Sequence, residues 1–354
     1  MEQLTLFPQY IDISEKEHIE FRYEMTSYGA DYPVDSIVKR IKNKTIFVPP
    51  FQRRFVWDIY EASKFIESLI LGLPVPGIFL SKENDTNNLL IVDGQQRLLT
   101  LYYFYMNDFK GKEFRLTEVQ ADLEGKRYED LSLADRNRLD DSIIHSTIIK
   151  QDEPDDDNSS VYQIFERINS GGRPLSPQEI RACIYYGKYN ELLSELAKNI
   201  QWRQVINTPH NDRLKEEELI LRFFSLLFDL EYYRKPMKDF LNKRMSANRN
   251  LELHDDNKLQ NSFQNTISII AAALGNSAFR VQKGVHTAVF DSVMVATAMR
   301  LNKAPITNFE SFRDAYETLL RNKKYLEAIN TGTSDDNSII NRIKIAVKTF
   351  EMVL

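Results

Sequence analysis

Apolar residues recur at helical spacing in two stretches near the start of the chain, residues 34–41 and residues 62–70. Asp58 stands before the second stretch with Glu61 three positions later, which is the pattern of a capping box at a helix start. Residues 1–33 carry only a weak pattern, and there we expect an N-terminal arm. The pattern therefore predicts two amphipathic helices after an arm.

Short apolar runs bounded by polar residues or prolines predict strands. Four such runs occur, at residues 45–48, 77–80, 89–92 and 146–149. Beyond about residue 200 the apolar spacing becomes helical, and the predicted helices cover residues 257–274, 285–301, 309–321 and 337–352. The predicted fold class is therefore α+β, with a small sheet and helices over residues 34–200 and a mainly α-helical region over residues 201–354.

Composition narrows the class of protein. Hydrophobic residues make up 42% of the chain and charged residues 27%, a balance typical of globular proteins. No run of 18 apolar residues occurs and the first residues lack the features of a signal peptide, so we expect no membrane span and a cytoplasmic protein. The single cysteine, Cys183, lies in an apolar helical stretch, which favours a buried structural thiol. The net charge of −5 argues against coating of nucleic acid by bulk positive charge but allows a local basic patch.

The run from Asp93 to Arg97 follows a predicted strand and precedes a predicted helix. The amides of Gly94, Gln95 and Gln96 would then lie at a helix N-terminus, where unpaired N–H groups and the helix dipole favour an anion such as phosphate. Gly94 would let a ligand approach the backbone, and Arg97 would offer a fork of donors to phosphate oxygens. The structural alternative is that Asp93 caps the helix, Gln96 completes a box-like pair and Arg97 pairs with a surface carboxylate.

A second cluster follows the two prolines at positions 49 and 50. Gln52, Arg53 and Arg54 stand there among bulky apolar residues that end with Trp57. Basic residues interleaved with aromatic ones suit phosphate contact together with base stacking. The alternative is a loop whose aromatic side chains enter the core while its arginines face water, and the pattern alone does not separate the two.

A third cluster comes after a predicted helix over residues 161–168. It consists of Asn169, Ser170, Gly171, Gly172 and Arg173. Two glycines permit a backbone nest for an anion beside an arginine. The alternative, which the local pattern favours, is an ordinary helix stop, since asparagine and glycine are preferred there. Residues 176–179 combine a serine cap, a proline and a glutamate and predict the next helix start.

Several common catalytic patterns are absent from the sequence. Neither the P-loop nor the Rossmann glycine pattern occurs, and five histidines with one cysteine show no spacing typical of a zinc site. Asp108 with Glu124 and Lys126 resembles a metal-dependent nuclease pattern only loosely, and we expect no nuclease site there. The acidic run at residues 152–157 is predicted to be a solvated loop.

Three segments together resemble one family. Residues 47–57 are similar to its Pro-x-Tyr/Phe-Gln-Arg-x-Tyr/Phe-x-Trp signature, residues 90–101 to its Val-Asp-Gly-Gln-Gln-Arg-Leu-x-Thr-Leu core, and residues 165–181 to its third block. This family is the ParB/sulfiredoxin-like N-terminal domain of GmrSD-type restriction enzymes. The blocks occur in the family's order, and similar material between residues 213 and 241 extends the resemblance over most of the chain.

The resemblance implies a ParB/sulfiredoxin-like domain with a small mixed sheet, a nucleoside triphosphate bound with Mg²⁺, and a role in restriction or phage defence. It implies catalytic roles for Asp93, Gln96 and Arg97. The residues implied to contact the nucleotide are Gln52, Arg53, Arg54, Trp57, Gly94, Gln95, Asn169, Ser170, Gly171 and Gly172.

DNA is the partner that the resemblance implies, together with a nuclease or another subunit of a defence system. No His-centred nuclease motif follows residue 200, so we expect triphosphate hydrolysis but no DNA cleavage by this chain alone. The alternatives are a non-enzymatic DNA-binding or scaffold subunit and a stand-alone ParB-like nuclease or nickase. No membrane partner is expected, and a homo-oligomer is left open.

Overall fold

The computed structural model describes residues 24–48, 55–83, 86–153, 159–168, 175–207, 213–281 and 284–353. These residues form two compact units. The sheet unit comprises the described residues up to 175 together with residues 182–184. The helical unit comprises residues 176–181 and the described residues from 185 to 353.

The sheet unit is built on five strands: β1 (Glu24–Pro33), β2 (Ile46–Phe47), β3 (Ile78–Lys82), β4 (Leu89–Asp93) and β5 (Ile143–Glu153). They lie in the order β1-β5-β3-β4-β2. β1 pairs with β5 and β3 pairs with β4 in antiparallel orientation, whereas β5 pairs with β3 and β4 pairs with β2 in parallel. The predicted small mixed sheet is therefore confirmed.

Helices make up most of the rest of the described chain. The sheet unit contains α1 (Val34–Lys42), α2 (Ile59–Ile70), α3 (Gln95–Met106), α4 (Leu133–Asp140) and α5 (Ser159–Ile168). The residues of α6 (Pro177–Ile184) are divided between the two units. The helical unit continues with α7 (Lys188–Leu196), α8 (Ile200–Ile206), α9 (Lys215–Phe228), α10 (Met237–Ala247), α11 (Asp256–Leu274), α12 (Thr287–Leu301), α13 (Phe309–Arg321), α14 (Lys323–Asn330) and α15 (Asp336–Phe350). None of these helices, within the described stretches, is long and apolar enough to cross a membrane. The α+β fold class with a mainly helical second part is confirmed.

Strand alternation sets the main core of the sheet unit. Ile78 and Leu80 of β3 are buried in the same cluster as Ile91 of β4, as expected for side chains on one face of a pleated sheet. Helices α1 to α4 cover this face and contribute core side chains such as Ile37 and Leu101. α5 packs against β4 and β5. The strands of the sheet are thus held by a buried core, and the loops of the unit begin where the strands end.

Helix starts agree with the sequence where a capping pattern is present. The Asp58 carboxylate accepts from the amide of Glu61 at 2.8 Å, and the Glu61 carboxylate accepts from the amide of Asp58 at 3.0 Å. Ser176 and Glu179 form the same reciprocal pair at the start of α6, with Pro177 as its first residue. Both predicted caps are confirmed. Further along α6, Cys183 is buried, as predicted for a structural thiol.

β1 lies in the segment for which the hydrophobic pattern predicts only an arm. Its ten residues pair along β5 from Glu24 opposite Glu153 to Pro33 opposite Ile143. The strand lies at the edge of the sheet and its partner is more than a hundred residues away in the chain. Local patterning carries little information about such a long-range pairing.

Candidate functional site

The junction between β4 and α3 is the turn that the sequence singles out. β4 ends at Asp93, α3 begins at Gln95, and Gly94 between them has a φ of +97°. That left-handed conformation is one that glycine adopts without steric cost. An added Cβ at Gly94 would lie 2.4 Å from Cγ2 of Ile78. The space beside Gly94 is therefore taken by a core side chain, which gives this glycine a packing role, and the approach of a ligand to its backbone stays a prediction.

Asp93 and Arg97 form an ion pair across the first turn of α3. The Arg97 Nη2 group donates to Oδ2 of Asp93 at 2.8 Å. Arg97 Nη1 donates to the carbonyl oxygens of Pro76 and Gly77, the latter at 2.8 Å. The N-cap position is Gly94, and no side chain caps the helix there, so the alternative in which Asp93 caps α3 is not observed. Asp93 instead orients Arg97, and Arg97 fastens the loop before β3 to the start of α3.

The two members of this pair differ in their exposure to solvent. The Asp93 side chain is 40% exposed and the Arg97 side chain is 14% exposed. A guanidinium carries five N–H donors. Three bonds from Arg97 go to Asp93, Pro76 and Gly77. The partly exposed Asp93 carboxylate therefore lies at the start of α3 beside the Arg97 guanidinium, which has N–H groups beyond the three that these bonds use.

Gln96 connects this junction to the second sequence cluster. Its Oε1 accepts from the amide of Val56 at 2.8 Å and from the amide of Trp57 at 3.2 Å. Phe55 packs edge-on against Tyr103 of α3, with 5.1 Å between ring centroids. Burial raises the pKa of Tyr103, so its phenol stays neutral. The side-chain carbonyl of Gln96 is thus committed to holding the segment at residues 55–57 against α3.

Trp57 lies at the rim of the core. Its ring packs against Phe65 of α2 at a centroid distance of 5.7 Å, and the side chain is partly buried. The Lys110 ammonium donates to the carbonyl oxygen of Trp57 at 2.9 Å and lies over the ring of Phe55. For these two aromatic side chains the core-facing alternative is the one observed.

The remaining predicted site residues can be placed only in part. Gln95 is half-buried at the first position of α3. Gln52, Arg53 and Arg54 lie outside the described residues, as do Asn169, Ser170, Gly171 and Gly172. Within the described chain, the structure therefore brings together Asp93, Gly94, Gln95, Gln96 and Arg97 with Trp57.

The loosely matching nuclease pattern does not form a site in the described chain. Oδ1 of Asp108 accepts from the amide of Gly111 at 2.8 Å, and Oε2 of Glu124 accepts from the amide of Val119 at 3.0 Å. Each carboxylate thus braces its own loop. No group of three or more His, Cys, Asp or Glu side chains suited to a metal ion occurs among the described residues. Most of the acidic run at residues 152–157 lies outside them.

Sequence reasoning missed the loop that Arg97 holds. Pro76 and Gly77 lie about twenty residues before Arg97, and they contribute main-chain carbonyl groups, which leave no trace in side-chain chemistry. A Cβ on Gly77 would lie 2.9 Å from the carbonyl oxygen of His145 in β5. The signal that could have found this loop is the alternation of prolines with Gly77 between α2 and β3.

The fold and the junction define a class of protein: α+β domains in which a strand, a glycine and a helix are braced by an aspartate–arginine pair. Residues 34–186 match the family model described as GmrSD restriction endonuclease, N-terminal domain. The matched segment contains all three blocks on which the predicted resemblance was based. The resemblance is confirmed, and it implies that the chain is a component of a restriction or phage-defence system. No curated protein matches the chain.

Proposed function

We propose that the sheet unit binds a nucleoside triphosphate with Mg²⁺ at the start of α3 and hydrolyses it, in a system that acts on foreign or modified DNA. One observation carries this proposal. Gln96 holds the amides of Val56 and Trp57. The segment that begins at Phe55 is therefore held against the first turn of α3, and Arg53 and Arg54 directly precede Phe55 in the sequence.

Phosphate binding at this place follows from elementary chemistry. The first amides of a helix have no intrahelical partner, and the helix dipole favours negative charge there. We assign phosphate contacts to the amides of residues 94–96, to Arg53 and Arg54, and to the N–H groups that Arg97 keeps available. Asn169 to Gly172 stay in the proposed site on the strength of the family motif alone.

Asp93 is the residue we assign to hydrolysis. Its Oδ2 binds Arg97, whereas its Oδ1 makes no hydrogen bond to any described residue. Oδ1 would orient a water whose oxygen attacks the γ-phosphorus, so that the bond to the β–γ bridging oxygen breaks, the nucleoside diphosphate leaves with that oxygen, and inorganic phosphate forms. Gln96 is a positioning residue in this scheme, because its carbonyl group already holds Val56 and Trp57.

A second candidate is a non-hydrolytic subunit that grips DNA phosphate with the same residues. Arg97 makes three hydrogen bonds within its own fold, which favours a structural rather than a catalytic role for this arginine, and a non-hydrolytic subunit needs no catalytic arginine. Salt dependence separates the two candidates. Binding to the DNA backbone weakens steeply with salt, whereas hydrolysis of a free triphosphate persists.

The test of the first candidate is calorimetry of the full chain with ATP, GTP, CTP and UTP, each with Mg²⁺. We expect at least one to bind, and Arg53→Gln to weaken that binding roughly ten- to hundred-fold, as for a lost charge-assisted contact. Arg97→Lys keeps the charge but loses the fork and should weaken binding in the same direction. Arg138→Gln, an arginine of the same unit that is 66% exposed, is the matched control and should bind as the parent does.

Two further readouts complete this test. Trp57 emission, isolated in a Trp202→Phe background, should shift on binding because its main chain is held by Gln96 and Lys110. Asp93→Asn should retain binding and lose phosphate release. Heat from none of the four triphosphates, or binding untouched by Arg53→Gln and Arg97→Lys alike, would contradict the proposed site. Plasmid linearisation that disappears in Asp93→Asn would favour the nuclease alternative instead.

A further inference from the structure

The end of α1 carries a dense group of cations. Lys39, Arg40, Lys42 and Lys44 fall within six residues, and all four are exposed. No acidic residue occurs between positions 36 and 47. This concentration contrasts with the net charge of −5 for the whole chain.

No carboxylate among the described residues neutralises these cations. Within the described chain, none of the four forms an ion pair, and the Arg40 guanidinium instead lies over the ring of Tyr32 at 5.0 Å. Other arginines of the sheet unit behave differently: Arg115 pairs with Glu113, and Arg127 pairs with Asp130. Within the part of the chain that the structure describes, the end of α1 therefore presents uncompensated positive charge to solvent.

A fifth cation lies at the same end of the sheet. The carbonyl oxygen of Thr45 accepts from the amide of Leu89 at 2.9 Å, which places Lys44 beside the start of β4. Lys82 is the register partner of Leu89 on β3. Lys39, Arg40, Lys42, Lys44 and Lys82 together are called the α1 basic cluster below. Glu83 follows Lys82 in the sequence, and its carboxylate accepts from the Thr86 hydroxyl at 2.6 Å.

The α1 basic cluster is separate from the proposed triphosphate site. β4 runs from Leu89, beside the cluster, to Asp93, at the junction with α3. A strand rises about 3.3 Å per residue, so the two ends of β4 lie about 13 Å apart. The sheet unit thus has a basic end and a junction end, on opposite ends of one strand.

We propose that the α1 basic cluster binds the phosphate backbone of duplex DNA. The helix dipole also stabilises cations near a helix C-terminus, but Lys44 and Lys82 lie outside α1, so the dipole does not account for their positions. Duplex DNA carries one negative charge per about 1.7 Å of its axis, so several lysines on one small surface meet several phosphates at once. The proposal rests on the assignment of the chain to a restriction system and does not require that the junction bind a triphosphate.

The test is fluorescence anisotropy of the full chain with a labelled 30-base-pair duplex, without nucleotide, across a series of KCl concentrations. The variant is Lys39→Ala/Lys42→Ala/Lys44→Ala. Each lost phosphate contact lowers the slope of log affinity against log salt by about 0.9, so we expect the slope to fall by about 2.7. At low salt the affinity should fall at least tenfold.

The control is Lys323→Ala/Lys324→Ala/Lys344→Ala, which removes the same charge from three exposed lysines of the helical unit and should bind DNA as the parent does. Equal losses in the two triple variants would show bulk electrostatics and overturn the proposal. So would an unchanged slope in the α1 variant, or tighter binding of single-stranded RNA than of the duplex. Triphosphate titration of the α1 variant keeps the proposals apart: parental triphosphate affinity with lost DNA binding supports a separate DNA surface.

The parent chain could fail to bind any triphosphate while DNA binding is lost only in the α1 variant. That combination would overturn the triphosphate site and support the α1 basic cluster as a DNA surface. The α1 substitutions replace exposed lysines that form no ion pair with a described residue, so the variant should fold as the parent does. Circular dichroism of the variant checks this.

Discussion

At Gly94 the backbone has a φ of +97°, and an added Cβ would lie 2.4 Å from Cγ2 of Ile78. Gly94→Ala therefore combines a left-handed conformation, which costs an L-residue about 1–2 kcal/mol, with overpacking, which costs about 1–3 kcal/mol. We expect the free energy of unfolding of the sheet unit to fall by about 2–5 kcal/mol. Urea unfolding followed by Trp57 emission in a Trp202→Phe background measures it.

Gly125 offers the matched control for this prediction. Its φ is +72°, and a Cβ there would meet nothing within 4 Å. Gly125→Ala should therefore show the conformational cost alone, about 1–2 kcal/mol. If the two alanine variants unfold at the same urea concentration, the contact with Ile78 does not matter.

The residue scale also shows where sequence reasoning about the site ends. The strand, glycine and helix around Gly94 were predictable, because each is encoded by neighbouring residues. The partners of Gln96 are main-chain amides of Val56 and Trp57, forty residues earlier in the chain. Every residue except proline has a main-chain amide, so the residue type at positions 56 and 57 gives no signal. The chemistry of Gln96 was predictable, but its partner was not.

At the scale of elements, helices with long apolar stripes were predictable almost to their ends. The helix predicted over residues 257–274 is α11 (Asp256–Leu274), and the one predicted over residues 309–321 is α13 (Phe309–Arg321). α7 and α8, with nine and seven residues, were not predicted because two turns display too little periodicity. β1 was missed because Gly29 and Asp31 are types depleted in strands.

The first turn of α9 contains three glutamates, and the second of them, Glu217, is buried where its charged form is destabilised. Glu217 is buried, and its Oε2 has no hydrogen-bond partner among the described residues. Burial raises the pKa of Glu217 to about 7. A folded-state pKa above the unfolded value means that the folded state prefers the protonated acid. Stability is therefore lost as the pH rises from the ordinary glutamate range through about 7.

Glu217→Gln should remove this loss. Above pH 7 we expect the variant to be more stable than the parent by about 2–3 kcal/mol, and at pH 4 we expect the two to be nearly equal. Chemical unfolding at a series of pH values, followed by Trp202 emission in a Trp57→Phe background, provides the measurement. Glu310→Gln removes an exposed first-turn glutamate from α13 and should change little. A parent stability that does not decline between pH 4 and 8 relative to Glu217→Gln would refute the argument.

At the scale of the whole molecule, the family match and the two units do not coincide. The match covers residues 34–186, so most of the helical unit lies beyond it. That unit has its own buried framework. Asp291 of α12 accepts from Arg222 of α9 at 3.0 and 2.6 Å and from Arg342 of α15 at 2.7 Å. One carboxylate thus joins three helices that are far apart in the sequence, a connection that local patterns could not predict.

Asp291→Asn tests whether this carboxylate holds the helical unit together. Burial alone would raise the pKa of Asp291, but Arg222 and Arg342 outweigh it and hold the pKa below its usual range. A depressed pKa contributes stability above the unfolded value, and that stability is lost as the pH falls through the folded value. The asparagine variant leaves the buried guanidinium of Arg342 and the partly buried one of Arg222 without this counterion, so we expect a loss of about 3–5 kcal/mol at pH 7.

Unfolding followed by Trp202 emission should show a parent that weakens below about pH 4, where an aspartate takes up its proton, and a variant that lacks this dependence. Glu317→Gln, which breaks an exposed pair with Arg321, should cost less than about 1 kcal/mol. If Asp291→Asn unfolds like Glu317→Gln, the buried network does not stabilise the helical unit.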